Sequence, residues 1–183
     1  MSLGDLPEGL TPPTDDGAAD HLAGRTMPPV TLAGTSGDAD LSRLDGTVVI
    51  YCYPMTGTPG RALPTNWDDI PGARGCTPQS CAFRDHAAEL AEAGVNGVIG
   101  ISTQTVDELR EAKQRLELPY ELLSDADGKL AAALRLPTFD ADGKTCLKRL
   151  TMVLRDGQIE RVLYPVFPPD RNAADVLDYL RSS

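Results

Sequence analysis

The sequence predicts an α/β fold, with a mixed central sheet covered by helices on both faces, and three observations lead there. Apolar, β-branched runs alternate with segments of helical spacing: TVVIYCY at Thr47 to Tyr53, then CAFRDHAAELAEAG, then VNGVIGIS at Val95 to Ser102. The strand-like runs are apolar along much of their length instead of strictly alternating, as in strands buried on both faces. Near the C-terminus two more such runs flank Asp156-Gly157, a tight antiparallel hairpin signal. Strand-helix alternation that ends in a hairpin and a closing helix gives a mixed sheet.

In chain order, residues 1–25 are rich in Pro, Gly and Asp and poor in large apolar groups, which predicts a flexible arm ahead of one domain over residues 26–183. From Met27 the pattern tightens into a short strand and a Gly/Asp turn, followed by the buried strand at Thr47. A long Pro- and Gly-rich connection, PMTGTPGRALPTNWDDIPGARG, leads to Cys76, where a helix begins that stops at Gly94. After the strand at Val95, Thr105 and Glu108 form a capping-box signature for the next helix. YELLSD reads as a third strand and GKLAAALRL as a short helix. LKRLTMVLRDGQIERVLYPV reads as the hairpin, and Asp170 is placed to cap a final helix. This is thioredoxin-like architecture.

The formal charge of -10 provides no basic field for phosphates, so nucleic acid and anionic membrane surfaces are poor partners and a small or neutral substrate fits better. No basic region followed by an apolar run opens the chain, and no stretch is apolar for long enough to cross a bilayer; the expectation is a soluble, cytoplasmic protein. Four cysteines, at 52, 76, 81 and 146, are too few and too unevenly placed for a disulfide-stapled secreted domain, which makes their reactivity the question.

Cys76 stands where the first turn of a helix is predicted. Unpaired N–H groups and the positive end of the helix dipole favour a thiolate there, the form of cysteine that reacts. Arg74, two residues earlier, adds positive charge. A buried structural cysteine is the plainer alternative. Cys81 lies five residues on, a spacing of about 8–9 Å between Cα atoms in an intact helix. A disulfide needs less than about 7 Å, so pairing of these two would require the first turns to unwind. Cys52, inside a strand, and Cys146, beside one, read as packing residues, with Cys146 a backup partner thiol. A zinc site from Cys76, Cys81 and His86 lacks the usual ligand spacing.

YPMTGTP, GCTPQSCAFRDHAAEL, GVIGIST, LLSDADGKLAAAL and KRLTMVLRDG, in this order over residues 27–181, resemble the peroxiredoxins, specifically the peroxiredoxin Q or bacterioferritin-comigratory type. The resemblance implies a thioredoxin-like fold and reduction of hydrogen peroxide and organic hydroperoxides. It also implies that thioredoxin or a similar dithiol protein returns the electrons and that no metal or organic cofactor is needed; it favours a monomer, with a dimer left open by a loop insertion ahead of Cys76. It further implies that Cys76 is the attacking cysteine, that Cys81 resolves its sulfenic acid as an intramolecular disulfide, and that Pro54 and Arg149 belong to the site. A thioredoxin-like thiol-disulfide oxidoreductase or redox sensor is the alternative, although such proteins usually carry two residues between the cysteines, not four.

The family pattern is interrupted in one place. Its Thr-Pro pair lies directly ahead of the cysteine, whereas Thr58-Pro59 is separated from Cys76 by an insertion at about residues 61–75. Thr58 is expected as the active-site threonine, with Thr77 as its competitor and a plain turn role as the third reading. The insertion holds the single tryptophan, Trp67, as a lid over the site or as packing onto its own domain.

Overall fold

The computed structural model describes residues 5–183. Its elements run β1 (Thr31–Gly34), β2 (Ala39–Asp40), β3 (Thr47–Cys52), α1 (Cys76–Asp85), α2 (Ala87–Glu92), β4 (Val95–Ser102), α3 (Val106–Arg115), β5 (Glu121–Ser124), α4 (Lys129–Leu134), β6 (Thr138–Ala141), β7 (Lys144–Leu147), β8 (Leu150–Arg155), β9 (Gln158–Leu163) and α5 (Asn172–Ser182). Seven strands form one sheet in the order β2-β1-β5-β4-β3-β8-β9, and β6 pairs with β7 in a separate hairpin. The pairs β3–β4 and β4–β5 are parallel, and β3–β8, β8–β9 and β1–β5 are antiparallel, so the sheet is mixed as expected.

Every residue of β3 is buried, and the two-residue period of a strand divides it between two cores. Val48, Ile50 and Cys52 join Leu22, Leu130, Leu134 and Met152 on one face. Val49 and Tyr51, with Tyr53 just beyond the strand, join Phe83, Leu90, Leu109 and Val176 on the other. Helix α4 therefore covers the first face, and α1, α2, α3 and α5 cover the second. Gly100 of β4 allows this packing, since a Cβ there would lie 2.8 Å from the hydroxyl end of Tyr51 and 2.7 Å from Leu122.

Thr105 and Glu108 form the anticipated capping box at α3, and Asp156-Gly157 makes the β8–β9 turn with both residues at positive φ. Two helix expectations are corrected, and one hairpin was missed. The helix from Cys76 is broken at His86, whose Nδ1–H donates to the Ala82 carbonyl at 2.8 Å. Asp170 does not cap α5: it falls inside a 3-10 turn, Pro169–Arg171, and the helix begins one residue too late for its carboxylate to reach. The β6–β7 hairpin went unread, although Asp142-Gly143 repeats the signature of Asp156-Gly157 with both residues again at positive φ.

The third correction concerns the arm, whose residues 1–4 lie outside the described residues. The part nearest the domain is docked. Leu22 is 0% exposed within the first core, Asp16 accepts from Lys148 at 3.0 Å and Tyr164 at 2.8 Å, and the Gly24 N–H donates to the Ile159 carbonyl at 2.7 Å. Few apolar groups suffice because the long-range polar partners complete the seat. Leu22→Ala is expected to cost about 2–5 kcal/mol, read as a lower urea midpoint at unchanged slope; an undocked arm leaves the midpoint where it is.

Candidate active site

The loop after β3 returns the chain to the sheet at Cys76, the first residue of α1, and Gly75 makes the entry possible. It holds φ at 113°, and a Cβ there would lie 2.3 Å from Pro169 and 2.9 Å from Leu6. Cys76 is 3% exposed. In the first helical turn the N–H groups of Cys76 and Thr77 have no partners inside the helix and lie at this end, whereas Pro78 has no N–H and that of Gln79 donates to the Gly75 carbonyl at 3.1 Å.

Arg149 arrives from the short link between β7 and β8 and is 4% exposed. Its Nη2 lies 3.3 Å from the Cys76 sulfur, and within 3.1 to 3.3 Å of the carbonyl oxygens of Gly72, Ala73 and Arg74. Two N–H bonds cannot serve four acceptors fully, so these contacts are shared. Nη1 donates to the Gln79 side-chain oxygen, and Gln79 donates in turn to Asn172 Oδ1 at 2.9 Å, which also accepts from the Thr151 hydroxyl at 2.6 Å. Among the described residues no carboxylate pairs with Arg149. The polar chain Arg149–Gln79–Asn172–Thr151 therefore locks α1, α5 and β8 around a buried cation and a sulfur.

Cys81 is half-buried further along α1, and desolvation raises its thiol pKa. Burial pushes Cys52 up to about 12 and Cys146 up to about 11, in keeping with their reading as packing residues. A buried hydroxyl cluster grips the middle of α1: the Tyr120 hydroxyl donates to the Ser80 carbonyl at 2.7 Å, and the Tyr51 hydroxyl lies 3.0 Å from Ser80 Oγ and 2.9 Å from that of Tyr120. Burial holds both tyrosines in the protonated form.

The expected residues do not all meet. Cys76 and Arg149 are in contact, and Cys81 shares their helix. Pro54 is buried but lines a neighbouring cleft of about 470 Å³, at the carboxyl ends of β3, β4 and β5, together with Gln104 and Cys146. Thr58 is set apart: the cleft above Cys76 is lined by Gly57 and Thr77, not by Thr58, because the insertion carries Thr58 away before the chain returns. Gln79, Asn172, Thr151 and the Ser80 cluster were missed. A glutamine in the first turn of a buried helix was the available signal, since it must find partners for both its donor and its acceptor. Trp67 packs onto its own domain, 3% exposed in a small cluster with Ala73, Ala141 and Cys146, and it also lines the Cys76 cleft. Among the described residues no cluster of His, Cys, Asp and Glu could hold a metal ion, and no helix is long and apolar enough to cross a membrane.

The Redoxin family model matches residues 22–178. The chain is 33% identical over 160 residues to the chloroplastic peroxiredoxin Q of Suaeda salsa, covering 86% of this chain and 67% of that protein. It is 33% identical over 162 residues to that of Sedum lineare, covering 87% and 77%. Among solved structures, peroxidoxin BcpB from Mycobacterium tuberculosis matches with a TM-score of 0.70 at 32% identity, covering 88% of this chain and 98% of that one. With a cysteine at a helix N-terminus beneath a buried arginine, and with this similarity along most of its length, the chain belongs to the Redoxin family, and within it to the peroxiredoxins of the Q or bacterioferritin-comigratory type, which are thiol peroxidases.

Proposed function

We propose that the chain reduces hydrogen peroxide and organic hydroperoxides through Cys76, with Cys81 resolving the product and thioredoxin or a similar dithiol protein closing the cycle. The observation that carries this reading is the 3.3 Å contact between Arg149 Nη2 and the Cys76 sulfur, made by a buried guanidinium without a carboxylate partner among the described residues. A buried cation with no anion is costly, and a thiolate at Cys76 supplies the missing charge.

In the first step the thiolate attacks one peroxide oxygen and the O–O bond breaks. The sulfur becomes a sulfenic acid, and the other oxygen leaves as hydroxide or alkoxide and takes up a proton. Arg149 and the N–H groups of the first turn of α1 face the charge that develops on that leaving oxygen. In the second step the Cys81 sulfur attacks Cys76, a disulfide forms, and water leaves. Two features hold that step back while α1 is intact: the separation of about 8–9 Å in a regular helix, and the burial that raises the Cys81 pKa. Unwinding the first turns removes both, by shortening the distance and exposing the thiol to water. A monomer working in the cytoplasm is part of the same reading.

Peroxide turnover with a thioredoxin system tests the assignment. Cys76→Ser is expected to abolish it, and Cys81→Ser to allow one fast oxidation and then stall; a wild-type rate no faster than that of a free thiol in solution overturns the peroxidase reading in favour of a thiol-disulfide carrier or sensor. Arg149→Met should lower kcat/KM for hydrogen peroxide about 10²- to 10³-fold, the usual loss when one donor to a developing oxyanion is removed. Tyr120→Phe loses its bond to the Ser80 carbonyl, worth about 1 kcal/mol net. It is therefore expected to speed disulfide formation about fivefold after a single peroxide pulse, followed by mass spectrometry of the Cys76–Cys81 peptide; an unchanged rate would show that α1 unwinding does not limit resolution.

A further inference from the structure

Above the Cys76 sulfur the free space is only about 10 Å³. Roughly 10–15 Å³ is needed to admit one water molecule. The cleft has an apolar wall of Met55, Leu63 and Trp67 and a polar one of Arg74 and Thr77. Leu63 and Trp67 both come from the segment 61–75 that interrupts the family pattern, so the narrowness is a property of the insertion.

The insertion is seated firmly. Trp67 packs with Ala141 and Cys146 of the β6–β7 hairpin, and its ring centroid lies 5.9 Å from that of Phe139. The backbone N–H and hydroxyl of Thr65 both donate to Asp142 in the hairpin turn, at 2.9 and 3.2 Å. Arg74 and Asp68 pair across its base at 3.1 Å. To widen the cleft, the chain must pull a buried tryptophan from a packed cluster and break two hydrogen bonds, or shift Met55 beneath it.

We propose that Trp67 and Leu63 determine which peroxides Cys76 reduces, by closing the cleft against substrates with a bulky group on the second oxygen. The inference rests on the peroxidase reading and deepens it. The reacting oxygen must approach the sulfur in line, with the leaving oxygen directed toward Arg149. Hydrogen peroxide, with two heavy atoms, meets this demand with a small displacement of the walls. A tertiary or aryl hydroperoxide must place its carbon frame where the indole of Trp67 and the side chain of Leu63 already stand. The substrate class favoured by this site is therefore hydrogen peroxide and small alkyl hydroperoxides.

The test compares kcat/KM for hydrogen peroxide and for cumene hydroperoxide, with one dithiol reductant, in wild type, Trp67→Ala and Leu63→Ala. The wild type is expected to prefer hydrogen peroxide, and each variant to lower that preference about 10-fold or more, the scale of discrimination by an apolar pocket. Leu63→Ala, at a half-buried position, carries the test if circular dichroism shows that Trp67→Ala does not fold. A wild type indifferent to the two peroxides, or a preference unchanged in the folded variants while hydrogen peroxide is still turned over, overturns the size filter. Absence of hydrogen peroxide turnover in the wild type strikes the peroxidase reading instead.

Discussion

The site depends on a cation held away from water with no carboxylate beside it among the described residues. A guanidinium 4% exposed would be expelled or paired in an ordinary core. Here it is held by neutral groups: three consecutive carbonyls at residues 72–74 and one amide oxygen, that of Gln79. Neutral acceptors solvate the charge without cancelling it, so the field at the Cys76 sulfur survives. A carboxylate in place of Gln79 would hold Arg149 as well and would take that field away. The amide has a second use, because its NH₂ continues the network to Asn172, and so the position of Arg149 is tied to α5 and β8 as well as to the helix that carries the sulfur.

In the proposed cycle, that arrangement sets two demands on α1 against each other. Attack on peroxide needs the helix wound, because its first turn supplies the N–H groups and keeps Cys76 beside Arg149. Resolution by Cys81, as proposed, needs the same turns open. The Tyr51–Ser80–Tyr120 cluster and the Gln79 link both grip residues between the two cysteines, and so they favour the wound state. Neither grip is an ion pair: the hydroxyl bonds at Ser80 join neutral groups and are worth about 0.5–1.5 kcal/mol each, and the Gln79 link, one neutral amide on a guanidinium, about 1.5–3 kcal/mol. The wound state is thus held by several modest contacts, which is what a segment that opens and recloses requires.

Much of the fold was legible in local pattern. Strands β3 and β4, the capping box of α3 and the β8–β9 turn are each decided by residues within a few positions of one another, and each formed where the pattern put it. What was not legible depends on distant partners. Leu22 and Ala19 are too sparse to signal a core on their own, and they find one only because β9 and Lys148 are folded nearby. The same holds for the site. Cys76 announced itself by its place at a helix start and by its neighbours, but Gln79 and Asn172 are 93 positions apart and nothing local couples them. Arg149 could be assigned only through the family resemblance, since its cradle is built from backbone carbonyls, which carry no residue signature.

The threonine shows how far backbone can stand in for side chain. The residues directly ahead of Cys76 are Ala73, Arg74 and Gly75, none with a hydroxyl, and Thr58 lies on the far side of the insertion. What Ala73 contributes is its carbonyl, 3.1 Å from Arg149 Nη2 and 3.7 Å from the Cys76 sulfur. A carbonyl accepts only, so it can orient the arginine but cannot donate to a peroxide oxygen. In the proposed reaction, donors to the peroxide then come from the helix N-terminus, from Arg149 itself, or from the hydroxyl of Thr77, which lines the cleft and is 5% exposed. The insertion removes a hydroxyl from the entry to α1 and at the same time brings Trp67 and Leu63 over the sulfur. One local change in the chain therefore alters both the hydrogen-bonding and the steric character of the cleft, while the pairing of Cys76 with Arg149 is left intact.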